Sequence, residues 1–189
     1  KYHGQPVRLG AQHKSGYWYL LLVKKHKGSL PYFFGRFADG NIDFAKMLAL
    51  VNTDKVWAEP ARFTARAFTS KSIPAYLYLF SYVPVSMKDW MKHGASHASE
   101  IAYVFDNLEE RNDITFTEKD KEVGKIMNAY WANFAKTGNP NGKGLPNWPV
   151  YDNNKNEVFE FTSDGSAGSF SDQRKARLDV IEKAFDNNK

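Results

Sequence analysis

One stretch of the chain, residues 74–83, is apolar on both of the faces that an extended strand would present. Its aromatic and aliphatic side chains alternate: Tyr76, Tyr78, Phe80 and Tyr82 point one way, and Ala75, Leu77, Leu79 and Ser81 point the other. A strand with one face in water would alternate apolar and polar residues instead. The pattern predicts a strand of a parallel sheet that is covered on both sides by helices, so the sequence favours an α/β fold. We expect this strand to lie centrally in its sheet.

The clearest helix is predicted after Thr117, where acidic residues occupy the first turn. An apolar stripe at helical spacing follows and ends at Gly138, a residue typical of a helix C-terminus. The stripe consists of Val123, Ile126, Met127, Tyr130, Trp131 and Phe134. A stripe of this kind is typical of a face buried in a hydrophobic core, and we favour that interpretation over a cofactor site.

Further elements are predicted on both sides of this helix. Residues 43–50 and 54–70 form two helical patterns, and Pro60 must lie in a first turn or at a kink because it has no N–H to donate. Residues 157–161 alternate as an edge strand does. We expect Ser171 to cap a last helix that turns Leu178, Ile181 and Phe185 inward and Arg174, Lys175 and Arg177 towards water.

The composition of the 189-residue chain is that of one globular domain, with 42% hydrophobic residues. No run of apolar residues is long enough to span a membrane, so we expect no membrane span. Residues 1–38 carry seven basic and no acidic residues. This imbalance is unaccompanied by any nucleic-acid-binding motif, so nucleic acid is not expected as a partner.

A histidine lies in a loop of small residues just after the strand at 74–83. His97 is surrounded in sequence by glycine, alanine and serine at 94–99, which leave room for a second group to approach the imidazole. Clefts of open α/β sheets form at the carboxyl ends of strands, so His97 is our candidate general base. With His93 and Glu100 it has the spacing of a metal site on one helix face. Gly94 and the serines disfavour a continuous helix there, so we expect no metal.

Several segments resemble the type B carboxylesterases, the family that includes the cholinesterases. The resemblance is carried by His-Ala-Ser-Glu-Ile at 97–101 with Val-Phe-Asp at 104–106, Glu-Pro-Ala-Arg-Phe at 59–63, the strand at 76–82, Tyr-Trp-Ala-Asn-Phe-Ala-Lys-Thr-Gly-Asn-Pro-Asn-Gly at 130–142 and Leu-Pro-Asn-Trp-Pro-Val-Tyr at 145–151. These segments agree in order and spacing over roughly residues 50–185. The resemblance implies the C-terminal portion of an α/β-hydrolase fold, with the last sheet strands and their covering helices, incomplete on its own. Residues 1–38 are atypical of the family.

The resemblance implies roles for three positions. His97 stands at the catalytic histidine, which would take the proton of a serine hydroxyl. Glu100 stands either at a buried supporting carboxylate or at a helix start, where it would interact with backbone amides. Ser15 stands where the triad acid belongs, and serine cannot stabilise an imidazolium as a carboxylate does. The acid is therefore unknown; Asp39 and Asp43 are the nearest acids downstream, and surface or helix-start positions fit them better.

Neither a nucleophile elbow nor an oxyanion segment is found in the sequence. The nearest approach to Gly-Xaa-Ser-Xaa-Gly is Asp-Gly-Ser-Ala-Gly at 164–168, in which one glycine is misplaced, and we interpret it as a turn. The resemblance implies hydrolysis of small carboxylic esters without a cofactor, with the missing N-terminal part of the hydrolase as partner and this chain alone inactive. A non-catalytic cholinesterase-like binding module or inactive remnant is the alternative. The absence of cysteines and of Asn-Xaa-Ser/Thr acceptors favours a bacterial member in cytoplasm, periplasm or medium.

Overall fold

The computed structural model of the protein describes residues 19–20, 32–33, 44–111 and 113–186. The strands are β1 (Tyr19–Leu20), β2 (Tyr32–Phe33), β3 (Tyr78–Phe80), β4 (Glu157–Phe161) and β5 (Ala167–Ser171). The α-helices are α1 (Phe44–Thr53), α2 (Glu59–Thr69), α3 (Ile101–Val104), α4 (Glu118–Thr137) and α5 (Lys175–Asp186). Two compact units share them, one of Lys1–Thr64 with Gln173–Lys189 and one of Ala65–Asp172. Within the described residues, no helix is long and apolar enough to cross a membrane.

The first unit contains the antiparallel pair β1–β2 and a helical path that changes pitch before Pro60. A π-helical turn, Asp54–Ala58, separates α1 from α2, and the Glu59 N–H donates to the carbonyl of Asp54. Pro60 cannot donate to the carbonyl four residues before it, and its ring would clash with that carbonyl in a regular α-helix. The wider π turn accommodates this defect. The predicted position of Pro60, in a first turn, is confirmed.

Buried ion pairs join the helical path to α5 inside this unit. Arg62 contacts Glu59 at 2.6 Å, Asp179 at 2.8 Å and Glu182 at 3.1 Å. Burial alone would lower the pKa of the Arg62 guanidinium, but its bonds to Asp179 and Glu59 outweigh burial and raise it. Arg177 donates from Nε to Asp54 at 2.7 Å, so it does not simply face water as its position on the predicted polar side suggested.

The prediction for the last helix is partly wrong. Leu178 and Ile181 are buried as expected, but Phe185 is exposed. The helix begins at Lys175, and Ser171 is the last residue of β5, where it pairs with Glu157 of β4. Ser171 is therefore part of the sheet, although the local sequence pattern predicted that it caps the helix.

The sheet of the second unit has the order β3–β4–β5. β3 runs parallel to β4, with Tyr78 opposite Phe159, and β4 runs antiparallel to β5. The predicted parallel strand is confirmed, although only Tyr78–Phe80 of residues 74–83 form the ladder. Among the described strands β4 lies in the middle, so it is not the edge strand that its pattern predicted. The central position of β3 stays a prediction, because the described sheet is only part of an α/β-hydrolase sheet. The sequence pattern of β4 misled because glutamates stand at 157 and 160 among its apolar residues, yet Val158 and Phe159 are both buried.

Helix α4 packs over this sheet through an aromatic core. Val123, Met127 and Tyr130 are fully buried, as the predicted stripe requires, whereas Phe134 at its end is exposed. The ring of Trp148 stacks on that of Phe159 at 4.6 Å. The predicted ends of the helix are also confirmed: Thr117 and Asp120 form a reciprocal capping box, and Gly138 adopts a left-handed φ of 73°.

Candidate active site

The loop between β3 and α3 presents His97 at the apex of a turn. The carbonyl of Ser96 accepts hydrogen bonds from the N–H of Ser99 at 3.1 Å and from its hydroxyl at 2.7 Å. His97 and Ala98 are the two central residues of this turn, and the His97 side chain is exposed. Ala98 has a φ of 65°, in the left-handed region that residues with a β-carbon rarely occupy. The surrounding bonds thus hold a locally strained backbone beside the imidazole.

Glu100 lies at the start of α3, three residues beyond His97. Its carbonyl accepts from the N–H groups of Tyr103 and Val104, both at 3.0 Å. Its side chain makes no capping hydrogen bond, which argues against the interpretation as an acid that binds backbone amides. The side chain is half-buried, and burial together with the Glu100 charge raises the pKa of Tyr78 to about 12. The Glu100 charge therefore acts on the Tyr78 hydroxyl, and the role of Glu100 as a supporting carboxylate stays a prediction.

The sequence also singles out candidates for the triad acid and for a metal site. Ser15, Asp39 and Asp43 lie outside the described residues, so the position of the triad acid is untested. In the part of the chain that the structure describes, no three side chains of the metal-binding types come together, and His93 with its neighbours forms no such cluster.

The segment at 164–168 is the turn that joins β4 to β5 and the beginning of β5. The Ser166 hydroxyl donates to Asp164 at 2.8 Å and lies 2.7 Å from the Thr162 hydroxyl. Hydrogen bonds from Thr162 and Ser166 lower the pKa of the Asp164 carboxyl to about 2. These contacts close a turn, and among the described residues they pair Ser166 with a carboxylate and not with a histidine that could activate it.

Sequence reasoning missed a buried polar cluster at the two ends of the His97 loop. The Tyr82 hydroxyl donates to Asp120 at 2.7 Å, and the ring of Tyr103 lies edge-on to that of Tyr82 at 5.7 Å. Burial would raise the pKa of Asp120, but hydrogen bonds from Tyr82, Thr117 and Val85 outweigh it and lower the pKa. Burial, together with the Asp120 charge, raises the pKa of both tyrosines, which therefore stay neutral.

Removing the hydroxyl should lower the free energy of unfolding at one tyrosine of this cluster, Tyr82, and not at the other, Tyr103. Tyr82→Phe deletes a hydrogen bond to a buried carboxylate and should lower the free energy of unfolding by about 1.5–3 kcal/mol. The Tyr103 hydroxyl is buried and has no hydrogen-bond partner among the described residues. Tyr103→Phe should therefore be neutral or stabilising. Urea unfolding of both variants measures the difference, and equal losses would contradict it.

The comparisons with known proteins place this segment within a family. The profile of the family described as "Carboxylesterase family" matches residues 36–179. The chain belongs to the carboxylesterase family. Human cocaine esterase is 37% identical over 115 residues, which are 58% of this chain and 19% of that protein. Carboxylesterase 5A of the cat is 35% identical over 143 residues, which are 70% of this chain and 24% of that protein.

Solved structures of carboxylesterases share the fold. The Geobacillus stearothermophilus carboxylesterase EST55 matches with a TM-score of 0.56 and 29% identity, over 71% of this chain and 27% of that chain. A structure titled PNB esterase matches with a TM-score of 0.61 and 26% identity, over 76% and 28%. The expected α/β-hydrolase fold class is thereby confirmed, with a partial sheet and its helices. This carboxylesterase-family chain spans about a quarter or less of the length of the curated relatives named above.

Proposed function

We propose that the chain is the C-terminal portion of a carboxylic ester hydrolase and supplies the catalytic histidine, His97, of a serine triad. The observation that supports this most is the position of His97, exposed at the apex of a fixed turn that follows a parallel sheet strand. An imidazole so held is accessible to a serine hydroxyl and to an ester. Glu100 is proposed as the half-buried carboxylate that supports this region.

The nucleophile, the oxyanion donors and the triad acid are proposed to come from another part of the hydrolase. His97 would accept the serine proton during acylation and return it to the leaving alcohol, so the chain alone should not hydrolyse esters through a serine. The substrate class is small carboxylic esters. The lack of cysteines and of Asn-Xaa-Ser/Thr acceptors supports a bacterial source.

A chimaera tests this function. Residues 65–172 would replace the corresponding segment of an active family esterase, and hydrolysis of p-nitrophenyl acetate would be followed. We expect turnover that falls on the order of 10⁴–10⁶-fold in His97→Ala, the loss typical of removing a triad member. His93→Ala, an exposed histidine four residues earlier, should leave turnover unchanged.

Labelling with an organophosphonate fluorophore provides the second measurement. The 189-residue chain alone should not be labelled, and the chimaera should be labelled on the host serine. Labelling of the isolated chain that disappears in His97→Ala would show an activated serine here and contradict the proposed division of the triad. A folded chimaera without turnover would reject the catalytic role of His97.

The second candidate function is a non-catalytic binding module of cholinesterase-like fold, or an inactive remnant. The observation that favours it is Ser15, which stands at the position of the triad acid and cannot stabilise a charged imidazolium. In that case a chimaera that also carries residues 1–64 of this chain would bind esters without hydrolysing them, whereas the chimaera of residues 65–172 keeps the acid of its host and turns over.

A further inference from the structure

The two carboxylate oxygens of Asp120 have different partners. Oδ2 accepts from the N–H of Thr117 at 2.5 Å and from its hydroxyl at 2.7 Å, which completes the cap of α4. Oδ1 accepts from the hydroxyl of Tyr82 at 2.7 Å and from the N–H of Val85 at 3.1 Å. The capping box of α4 needs only one Asp120 oxygen, Oδ2, which accepts from the Thr117 N–H. The bonds to Oδ1 therefore stabilise something other than the helix.

Both partners of Oδ1 lie where β3 passes into the loop that carries His97. Val85 is the first residue of the 3₁₀ turn Val85–Met87, with which this loop starts. The loop ends in α3, whose Tyr103 is fully buried with its ring against that of Tyr82. Asp120 thus binds the first part of the loop directly, through Tyr82 and Val85. It is linked to the end of the loop indirectly, because the Tyr82 ring contacts that of Tyr103 in α3. The carboxylate is itself completely buried, so these bonds do not compete with water.

We infer that Asp120 is a positioning residue for His97: its Oδ1 atom fixes the loop between β3 and α3 to the start of α4. The inference rests on the proposed function for its catalytic meaning. The structural part of the inference is that Oδ1 of Asp120 determines the position of the His97 imidazole, and it can be tested without measuring ester hydrolysis. The opposing possibility is that Asp120 serves the helix alone and that the loop keeps its shape without it.

Val85→Pro separates these two roles. Proline at 85 removes only the N–H that donates to Oδ1 and leaves both bonds to Thr117 intact. Pro84, with φ −49° and ψ 139°, already has the backbone that a following proline requires, and the first residue of a helical turn tolerates proline. Val85 is exposed, so its side chain contributes little packing. Val85→Ala, which keeps the N–H, is the matched control.

The readouts are the imidazole ¹⁵N resonances of His97 and amide hydrogen exchange in the 189-residue chain. The loop amides of Met91 and Ser99, which bond within the loop, should exchange about ten- to a hundredfold faster in Val85→Pro. The His97 resonances should shift, while the α4 amide of Met127 and the resonances of Val85→Ala stay as in the parent protein.

Unchanged His97 resonances and loop exchange in folded Val85→Pro would overturn the inference. An equal acceleration in the loop and at Met127 would also overturn it, because it would indicate a general loss of stability. If Val85→Pro does not fold, Tyr82→Phe removes the other donor to Oδ1 and is judged by the same readouts, with Tyr103→Phe as its control. No assay of ester hydrolysis is involved, so failure of the catalytic proposal would show in the chimaera and not here.

Discussion

Replacement of Arg62 by alanine should lower the free energy of unfolding by about 3–5 kcal/mol, the range for breaking a buried ion pair. Arg62 contacts three carboxylates, and the side chain of Glu59, its nearest partner, is only 3% exposed. Without the guanidinium, Glu59 remains as a charge with little access to water, and Asp179 loses the cation that helps to lower its pKa. Urea unfolding followed by circular dichroism measures the loss.

Two further variants identify the cause. Arg111 also forms paired hydrogen bonds with an aspartate, Asp113, but that pair is exposed, and Arg111→Ala should leave the unfolding midpoint unchanged. The double variant Glu59→Leu with Arg62→Met removes both buried charges and should recover much of the stability. If the double variant is less stable than Arg62→Ala alone, the explanation by a buried carboxylate that has lost its nearest cation is wrong.

Phe159→Ala should cost about 3–5 kcal/mol, the range for deleting a buried aromatic ring. Phe159 lies in the middle strand of the sheet, is 1% exposed, and stacks on Trp148 while meeting Tyr130 edge-on at 5.2 Å. Truncation removes a partner from each ring and leaves a cavity that rigid aromatic neighbours fill poorly. The unfolding midpoint in urea and the near-ultraviolet signal of the tryptophans would report the change.

Phe170 provides the control for this substitution. It lies in the neighbouring strand β5, opposite Val158, and is 43% exposed. Phe170→Ala should therefore cost about 1 kcal/mol or less, since surface substitutions have small effects. Similar losses for the two phenylalanines would mean that the stacked core around Trp148 does not carry the stability assigned to it.

Local sequence signals predicted much of the fold. Thr117 and Gly138 mark the ends of α4 because a cap hydrogen bond and a left-handed backbone each depend on a few adjacent residues. The position of a strand within its sheet depends on distant partners, so the local pattern of β4 wrongly predicts an edge strand. Ser171 shows the same limit: its own neighbourhood suits a cap, but pairing with Glu157 keeps it in β5.

The candidate site divides in the same way. His97 could be found from its small neighbours and from the family resemblance, both of which are contiguous in sequence. Asp120 could be assigned to a helix start but not to the loop, because its bond to Tyr82 joins positions 38 residues apart. The ion pairs of Arg62 with α5 span still longer separations and leave no periodic pattern. Polar contacts between segments that are distant in sequence are therefore the features that local sequence patterns do not predict.

The connectivity of the sheet also predicts the order in which its strands pair during folding. β4 and β5 are joined by a tight turn, and such local pairs form early because little chain entropy is lost in closing them. β3 pairs with β4 only after the intervening segment, which includes the His97 loop, α3 and α4, has been enclosed. Parallel pairing across so long a closure is slow. We therefore expect the loop that presents the imidazole to acquire its shape late in folding, so that a chain stalled before that step would have the β4–β5 hairpin without the candidate site.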